Sequence, residues 1–152
     1  MVERERRIVA ENEQAKRPVV VAVTGASGTI YGLRLIDRLL VVGCTVQACL
    51  STAALSVWRR ELTAAPDAVT DAGDFLRALR VGLAEFGVEY DANELLDGVE
   101  RLRLYPADQL TAPIASGSFR TAGMVVCPCS TGTLGAIANG LSQNLIHRAA
   151  EV

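Results

Sequence analysis

Two short stretches hold the residue types that can bind an anion without a metal. The first is Thr24-Gly25-Ala26-Ser27-Gly28-Thr29-Ile30-Tyr31-Gly32, and the second is Pro128-Cys129-Ser130-Thr131-Gly132-Thr133. Each follows an apolar run, Val19 to Val23 in the first case and Met124 to Cys127 in the second. Each precedes apolar residues at helical spacing, Ile30, Leu33, Ile36, Leu39 and Leu40 after the first, Leu134, Ile137 and Ala138 after the second. The pattern is strand, small-residue turn, helix. Glycine allows the tight turn, and a helix start offers unpaired N–H groups and a positive dipole end. A phosphate is the natural guest there. The same turn occurs without any ligand in many α/β domains, so one such loop leaves both readings open.

The elements that position these loops follow from periodicity. Residues 18–24 and 45–50 read as buried strands, with Ser51 at the end of the second, and 101–105 and 122–127 as the third and fourth. Residues 29–42 read as a helix closed by Gly43, and 52–62 as a helix carrying Trp58 and Glu61. A third amphipathic helix is predicted over 70–86, with Phe75, Leu76, Leu79, Leu83 and Phe86 on one side and Asp71 and Asp74 in its first turn. A short helix is predicted at 91–98. A helix beginning at the second loop places Leu134, Ile137 and Ala138 inward, is interrupted at Asn139-Gly140, and gives way to a last helical stretch at 142–151. Alternating strands and helices imply a three-layer α/β fold, a parallel sheet with helices on both faces. Ligands of such sheets bind beyond the carboxyl ends of the strands. Residues 24–28, Ser51 and residues 128–133 are the candidate loops. If strands one and four are neighbours, the first and third loops flank one crevice, which favours a phosphate-bearing cofactor.

Composition narrows the class. The chain has 152 residues, half of them hydrophobic, and a net charge of only −2. That suits one domain with a real core and lacks the basic patch of a nucleic-acid binder. No apolar run is long enough to span a bilayer. Residues 1–17 alternate charges of both signs and read as a solvated extension, neither signal peptide nor anchor, ahead of a domain over 18–152. The expected location is the cytoplasm. Cys49, Cys127 and Cys129 fall in or at the end of apolar runs, where a thiol is a small buried hydrophobe. Cys127-Pro128-Cys129 is C-x-C with no His at zinc-site spacing, so no metal site is expected.

Elimination reduces the cofactor choices. Lys16 is the only lysine, so the Gly-Lys-Ser/Thr of a P-loop cannot be formed. A dinucleotide site needs G-x-G-x-x-G and an acidic residue ending the second strand. Here the loop is G-x-x-G-x-x-x-G, and no Asp or Glu lies between Val41 and Arg60. The short-chain reductase pattern T-G-x-x-G-x-x-G has Tyr31 at its last Gly, and its Tyr-x-x-x-Lys pair is missing. A mononucleotide such as FMN fits better than NAD(P).

Val23-Thr24-Gly25-Ala26-Ser27-Gly28 with Tyr31-Gly32 resembles the opening of the UbiX-type flavin prenyltransferases. So do Ala115-Ser116-Gly117-Ser118-Phe119, the run Met124 to Leu134, and Asn144-Leu145-Ile146-His147-Arg148-Ala149-Ala150-Glu151-Val152. Residues 62–110 match less well, and the helix at 70–86 reads as an insertion. The resemblance implies a Rossmann-like, flavodoxin-like fold, built from trimers into a dodecamer, with FMN between subunits. It implies transfer of a dimethylallyl group from dimethylallyl phosphate or diphosphate to N5 and then C6 of reduced FMN, without a metal. Prenylated FMN would serve a UbiD-type decarboxylase. By the same resemblance Gly25, Ala26 and Ser27 form the first flavin loop, Ser51 a flavin contact, and Ser130, Thr131, Gly132 and Thr133 the second flavin loop. Arg148 lies near the phosphate groups, and Glu61 has the spacing of a catalytic-site Glu. The chemistry suits these types: Arg148 can hold a leaving phosphate bidentately, Glu61 can supply charge or move a flavin proton, and Ser27 can hydrogen-bond the flavin near N5 or cap the first helix.

Members of that family run further than the segment ending here at Val152. The further part supplies another strand or two and Lys, Glu, Tyr and Arg side chains that this sequence does not contain. A truncated product, a site completed by other chains, or flavin binding without full activity would each follow. A parallel sheet ending at strand four leaves an apolar edge, so an obligate oligomer is expected. The alternatives are an FMN-binding subunit or carrier without catalysis, and a relative of the flavin-dependent cysteine decarboxylases. The latter need an Asn where Gly132 stands and a His upstream of the fourth strand, whereas His147 lies downstream.

Overall fold

A computed structural model describes residues 17–67, 71–89 and 98–152. The expected extension at 1–17, apart from Arg17, and nearly all of the expected helix at 91–98 lie outside the described residues. The elements run β1 (Val19–Val23), α1 (Thr29–Val41), β2 (Val46–Leu50), α2 (Thr52–Glu61), α3 (Ala72–Ala84), β3 (Leu102–Pro106), a 3-10 turn (Pro113–Ala115), β4 (Gly123–Val126), α4 (Thr131–Ala138) and α5 (Leu145–Glu151). The four strands form one sheet in the order β3-β2-β1-β4, every pairing parallel.

The burial of each strand follows its place. β1 and β2 are central and covered on both faces, which is why they read as unbroken apolar runs. β3 and β4 are the outer strands among those described, and their residues are partly exposed. Pro106, expected to stop β3, is instead its last residue, paired with Leu50. An outer strand tolerates a residue without an N–H.

Period-two alternation splits the sheet into two packed faces. Val21, Val23, Val46, Ala48 and Leu50 meet Leu33, Ile36 and Leu40 of α1, Trp58 of α2 and Phe75, Leu76, Leu79 and Leu83 of α3. Trp58 and Phe75 meet edge to face at 5.4 Å, a favoured aromatic geometry. On the other face Val20, Ala22 and Cys49 meet Ala112, Ile114, Leu145 and Ile146, so α5 and the 3-10 turn form the third layer. Gln47 is buried there, and its side-chain oxygen accepts from the Tyr105 hydroxyl at 2.7 Å.

Two inward assignments are corrected. Phe86 is 63 % exposed, because α3 ends at Ala84 and Gly87 follows with φ +75°. On α4, Leu134 is 60 % exposed and Ala138 is exposed, whereas Ala136 is buried. α4 is apolar nearly all round, so its sequence gave no stripe to choose a face by. Cys127 and Cys129 are likewise half-buried, not buried as Cys49 is. Among the described residues no helix is long and apolar enough to cross a membrane.

Candidate functional site

β1 pairs with both β2 and β4. The chain steps one way through β2 and β3 and returns on the other side of β1 as β4. The loops after β1 and β4 therefore flank one switch-point crevice. Thr24, 1 % exposed, ties them together. Its hydroxyl donates to the Pro128 carbonyl at 2.8 Å and accepts from the Ser130 N–H at 2.7 Å. The Thr24 N–H also donates to the Pro128 carbonyl, at 3.2 Å. Sequence reasoning quoted Thr24 inside the motif without assigning it this task. A buried hydroxyl ending a fully buried strand was the available signal, since such a group needs a partner.

Each predicted loop is built by a cap. Ser51 is the N-cap of α2 and accepts from the Ala54 N–H at 3.0 Å. Ser130 is the N-cap of α4, accepting from the Thr133 N–H at 3.3 Å and donating to the Thr133 hydroxyl at 3.0 Å. Thr131 and Gly132 are exposed on the first turn of α4, and nothing lies within 4 Å of where a Gly132 Cβ would be. Gly32 is the opposite case. A Cβ there would lie 2.1 Å from the Cys127 carbonyl oxygen, so the glycine lets α1 pack against the end of β4.

The α1 terminus departs from expectation. Its N-cap is Gly28, in the left-handed region at φ 90°, and not Ser27, which is exposed. The cap comes from α2: the Glu61 carboxylate accepts from Gly28 N–H at 2.9 Å through one oxygen and from Thr29 N–H at 2.8 Å through the other. At this helix start, where the sequence left an anion guest and a turn without ligand both open, a carboxylate of the same chain bonds the first two N–H groups.

Arg148 lies on α5, against the other face of the sheet from α2. Its Nε donates to the Ala115 carbonyl at 3.1 Å and one terminal nitrogen donates to Glu151 at 2.9 Å. Hydrogen bonds from Ser142 and Arg148 hold the Glu151 carboxyl below the usual range. Ser27, Glu61 and Arg148 are thus divided between the crevice rim and the opposite face. A cavity of about 590 Å3 opens beyond the ends of β2 and β3, lined by Ser51, Thr52, Ala53, Pro106, Asp108 and Asn144 among others. A second, apolar cleft of about 400 Å3 lies between β4, α4 and α5. Asn144, which caps α5 by accepting from the His147 N–H at 3.0 Å, was not singled out from sequence.

The Flavoprotein family model matches residues 7–152. The chain belongs to the flavoprotein family. Within it the chain is similar to the flavin prenyltransferase UbiX of Alkalihalophilus pseudofirmus, 36% identical over 141 residues that cover 93% of this chain and 62% of that protein. It is also similar to the UbiX of Archaeoglobus fulgidus, 40% identical over 88% of this chain and 58% of the relative. Among solved structures, AnUbiX (PadA1) in complex with FMN and dimethylallyl pyrophosphate superposes with a TM-score of 0.62 and 26% identity, covering 90% of this chain and 57% of that one. A dodecameric FMN-dependent UbiX-like decarboxylase from Escherichia coli O157:H7 gives 0.59 and 26%, covering 88% and 58%. This flavoprotein chain therefore spans about three fifths of the length of the proteins it matches.

Proposed function

We propose that this chain is the flavin-binding part of a flavin prenyltransferase. It would transfer a dimethylallyl group from dimethylallyl phosphate or diphosphate to N5 and C6 of reduced FMN, giving prenylated FMN for a UbiD-type decarboxylase. The observation that carries this reading is the pair of Gly/Ser/Thr loops held together by Thr24 at the switch point, in a chain similar to flavin prenyltransferases over most of its length. The residues present fit a flavin. Hydroxyls of Ser27 in the loop after β1, Ser51 directly after β2 and Thr131 on the first turn of α4 lie beyond the strand ends, and open space lies over Gly132, where a flat ring meets no Cβ. When bound, reduced FMN supplies the nucleophilic ring atoms.

The chain's own residues have separate tasks in this reading. Gly25, Ala26 and Ser27 line one side of the ring, with the Ser27 hydroxyl as a hydrogen-bond partner at its edge. Ser130, Thr131, Gly132 and Thr133 line the other, and Ser51 offers a hydroxyl from the end of β2. Arg148 holds phosphate oxygens by charge and paired N–H groups. Glu61 keeps a negative charge at the rim. Arg148 and Glu61 lie on opposite faces of one sheet, and Val125 of β4 and Leu134 of α4 are exposed apolar side chains. Both features support a homo-oligomer, a trimer-based dodecamer in this reading, in which copies complete one another's sites. The proposed location is cytoplasmic.

A second reading, an FMN-binding subunit or carrier, is favoured by the existing engagement of Arg148 with Ala115 and Glu151. Anaerobic incubation with reduced FMN and dimethylallyl phosphate, followed by mass spectrometry of the flavin, separates the two. Prenylated FMN is expected. Retained but unmodified FMN would leave the carrier, and failure to retain FMN would overturn both.

A further inference from the structure

The Arg148 guanidinium is fixed from two sides. On α5 itself Glu151, one turn further on, accepts from one terminal nitrogen at 2.9 Å. Outside that helix the Ala115 carbonyl, at the end of the 3-10 turn, accepts from Nε at 3.1 Å. Glu151 is held in its turn, because its Oε2 also accepts from the Ser142 hydroxyl in the connection between α4 and α5. Both bonds fall on that one oxygen. An exposed ion pair three residues apart on a helix contributes little by itself. Here a hydroxyl before α5 and a carbonyl on a separate turn add two fixed points, so the guanidinium has one geometry. A guanidinium carries five N–H groups, and two are engaged. The others stay open on a side chain that is partly exposed, in the last turn of α5.

We infer that Glu151, seated by Ser142, is a positioning residue: it holds the Arg148 guanidinium so that its open N–H groups meet the phosphate of the prenyl donor in one orientation. The consequence for the donor rests on the reading of Arg148 above; the clamp itself does not. Two effects of Glu151 oppose each other. Its charge repels a phosphate, and its bond spares the ordering of a long, flexible side chain when phosphate binds. The two side chains are 41% and 44% exposed, so water and salt screen the repulsion. The rotamer freedom of an arginine is lost on binding whether or not the site is wet. Ordering therefore outweighs repulsion. Because both bonds use one oxygen, Glu151→Gln keeps them through its amide carbonyl and discards the charge, whereas Glu151→Ala discards both.

Two readouts on wild type, Glu151→Gln, Glu151→Ala, Ser142→Ala and Arg148→Ala separate the clamp from the ligand. The first is the Arg148 Nε–H signal in nitrogen-15 NMR, assigned by its loss in Arg148→Ala, and its exchange with water. It needs no ligand. Slow exchange is expected in wild type and Glu151→Gln, fast exchange in Glu151→Ala, and an intermediate rate in Ser142→Ala. The second is calorimetric titration with dimethylallyl phosphate of each chain, loaded with reduced FMN in the absence of oxygen. Glu151→Gln is expected to keep the wild-type affinity, and Glu151→Ala to lose roughly three- to tenfold, the range for one freed rotamer-rich side chain. Tighter binding in both Glu151 variants would overturn the inference, since the carboxylate would then compete with phosphate for Arg148. Unchanged affinity in Glu151→Ala, where Arg148→Ala binds more weakly, would overturn it too. So would an affinity loss in Glu151→Gln with slow exchange retained, because charge and not position would then be at work. If Arg148→Ala binds the donor as wild type does, or no protein binds it, the phosphate reading of Arg148 fails, and the exchange rates still decide the clamp.

Discussion

Cys49 shows how a residue's surroundings set its chemistry. It is fully buried on β2, on the sheet face that packs against Leu145 and Ile146 of α5, and burial, with a smaller push from Asp108, raises its thiol from 9.0 to about 12. Below pH 9 the thiol is protonated in both folded and unfolded chains and contributes nothing to pH dependence. Between pH 9 and 12 the unfolded chain releases a proton that the folded chain keeps, so stability falls as pH rises through that window. The slope from this group is at most about 1.4 kcal/mol per pH unit. Urea unfolding at pH 8, 9, 10 and 11 should show a steeper loss in wild type than in Cys49→Ala. A parallel pH profile for the two would contradict the burial argument. Iodoacetamide at pH 8 should likewise spare Cys49 until the chain is unfolded.

At the scale of elements, the β1 and β4 ends act as one unit because Thr24 joins them. Thr24→Val keeps the shape and removes the hydroxyl. The Pro128 carbonyl retains the backbone N–H of residue 24, but the Ser130 N–H loses its acceptor. A loss of about 1–3 kcal/mol is expected, read as a lower urea midpoint with an unchanged slope. Since Ser130 is also the N-cap of α4, the same change should weaken FMN retention in equilibrium dialysis. Undiminished stability together with undiminished retention would mean that the two loops hold their places independently.

Among the described residues both faces of the sheet are packed at its centre, and the outer strands are partly exposed. α1, α2 and α3 cover one face over β1 and β2, whereas β4 is an outer strand with Val125 41 % exposed. Leu134 lines the apolar cleft beside it together with Met124, Val126 and Ile137. Contiguous exposed apolar surface favours association. The proposed homo-oligomer predicts a scattering mass well above one chain for wild type, and a smaller species for Leu134→Arg, whose charge would be buried without a partner. Equal masses for the two proteins would remove this face from the interface.

What could be read without coordinates was local. The unbroken apolar runs of β1 and β2, the amphipathic α3, the Gly43 stop and the small-residue loops at 24–28 and 128–133 each report the backbone within a few residues of themselves. The strands and helices found among the described residues, and the parallel α/β class, were therefore legible. The neighbourhood of β1 and β4 could only be posed as a condition, because pairing partners 104 residues apart leave no periodic mark. A separation of 106 residues hid the bond from the Ser130 N–H to the Thr24 hydroxyl, and separations of 33 and 32 residues hid the seating of Glu61 on Gly28 and Thr29. Ser27 had the right type and place to cap α1, yet the left-handed turn at Gly28 moved the cap one residue on and left it to α2. α4 and Phe86 failed for a related reason: an all-apolar helix and a residue just past a helix end carry no stripe that names their neighbours. Local periodicity determined the elements, and long-range packing decided which of their polar groups meet.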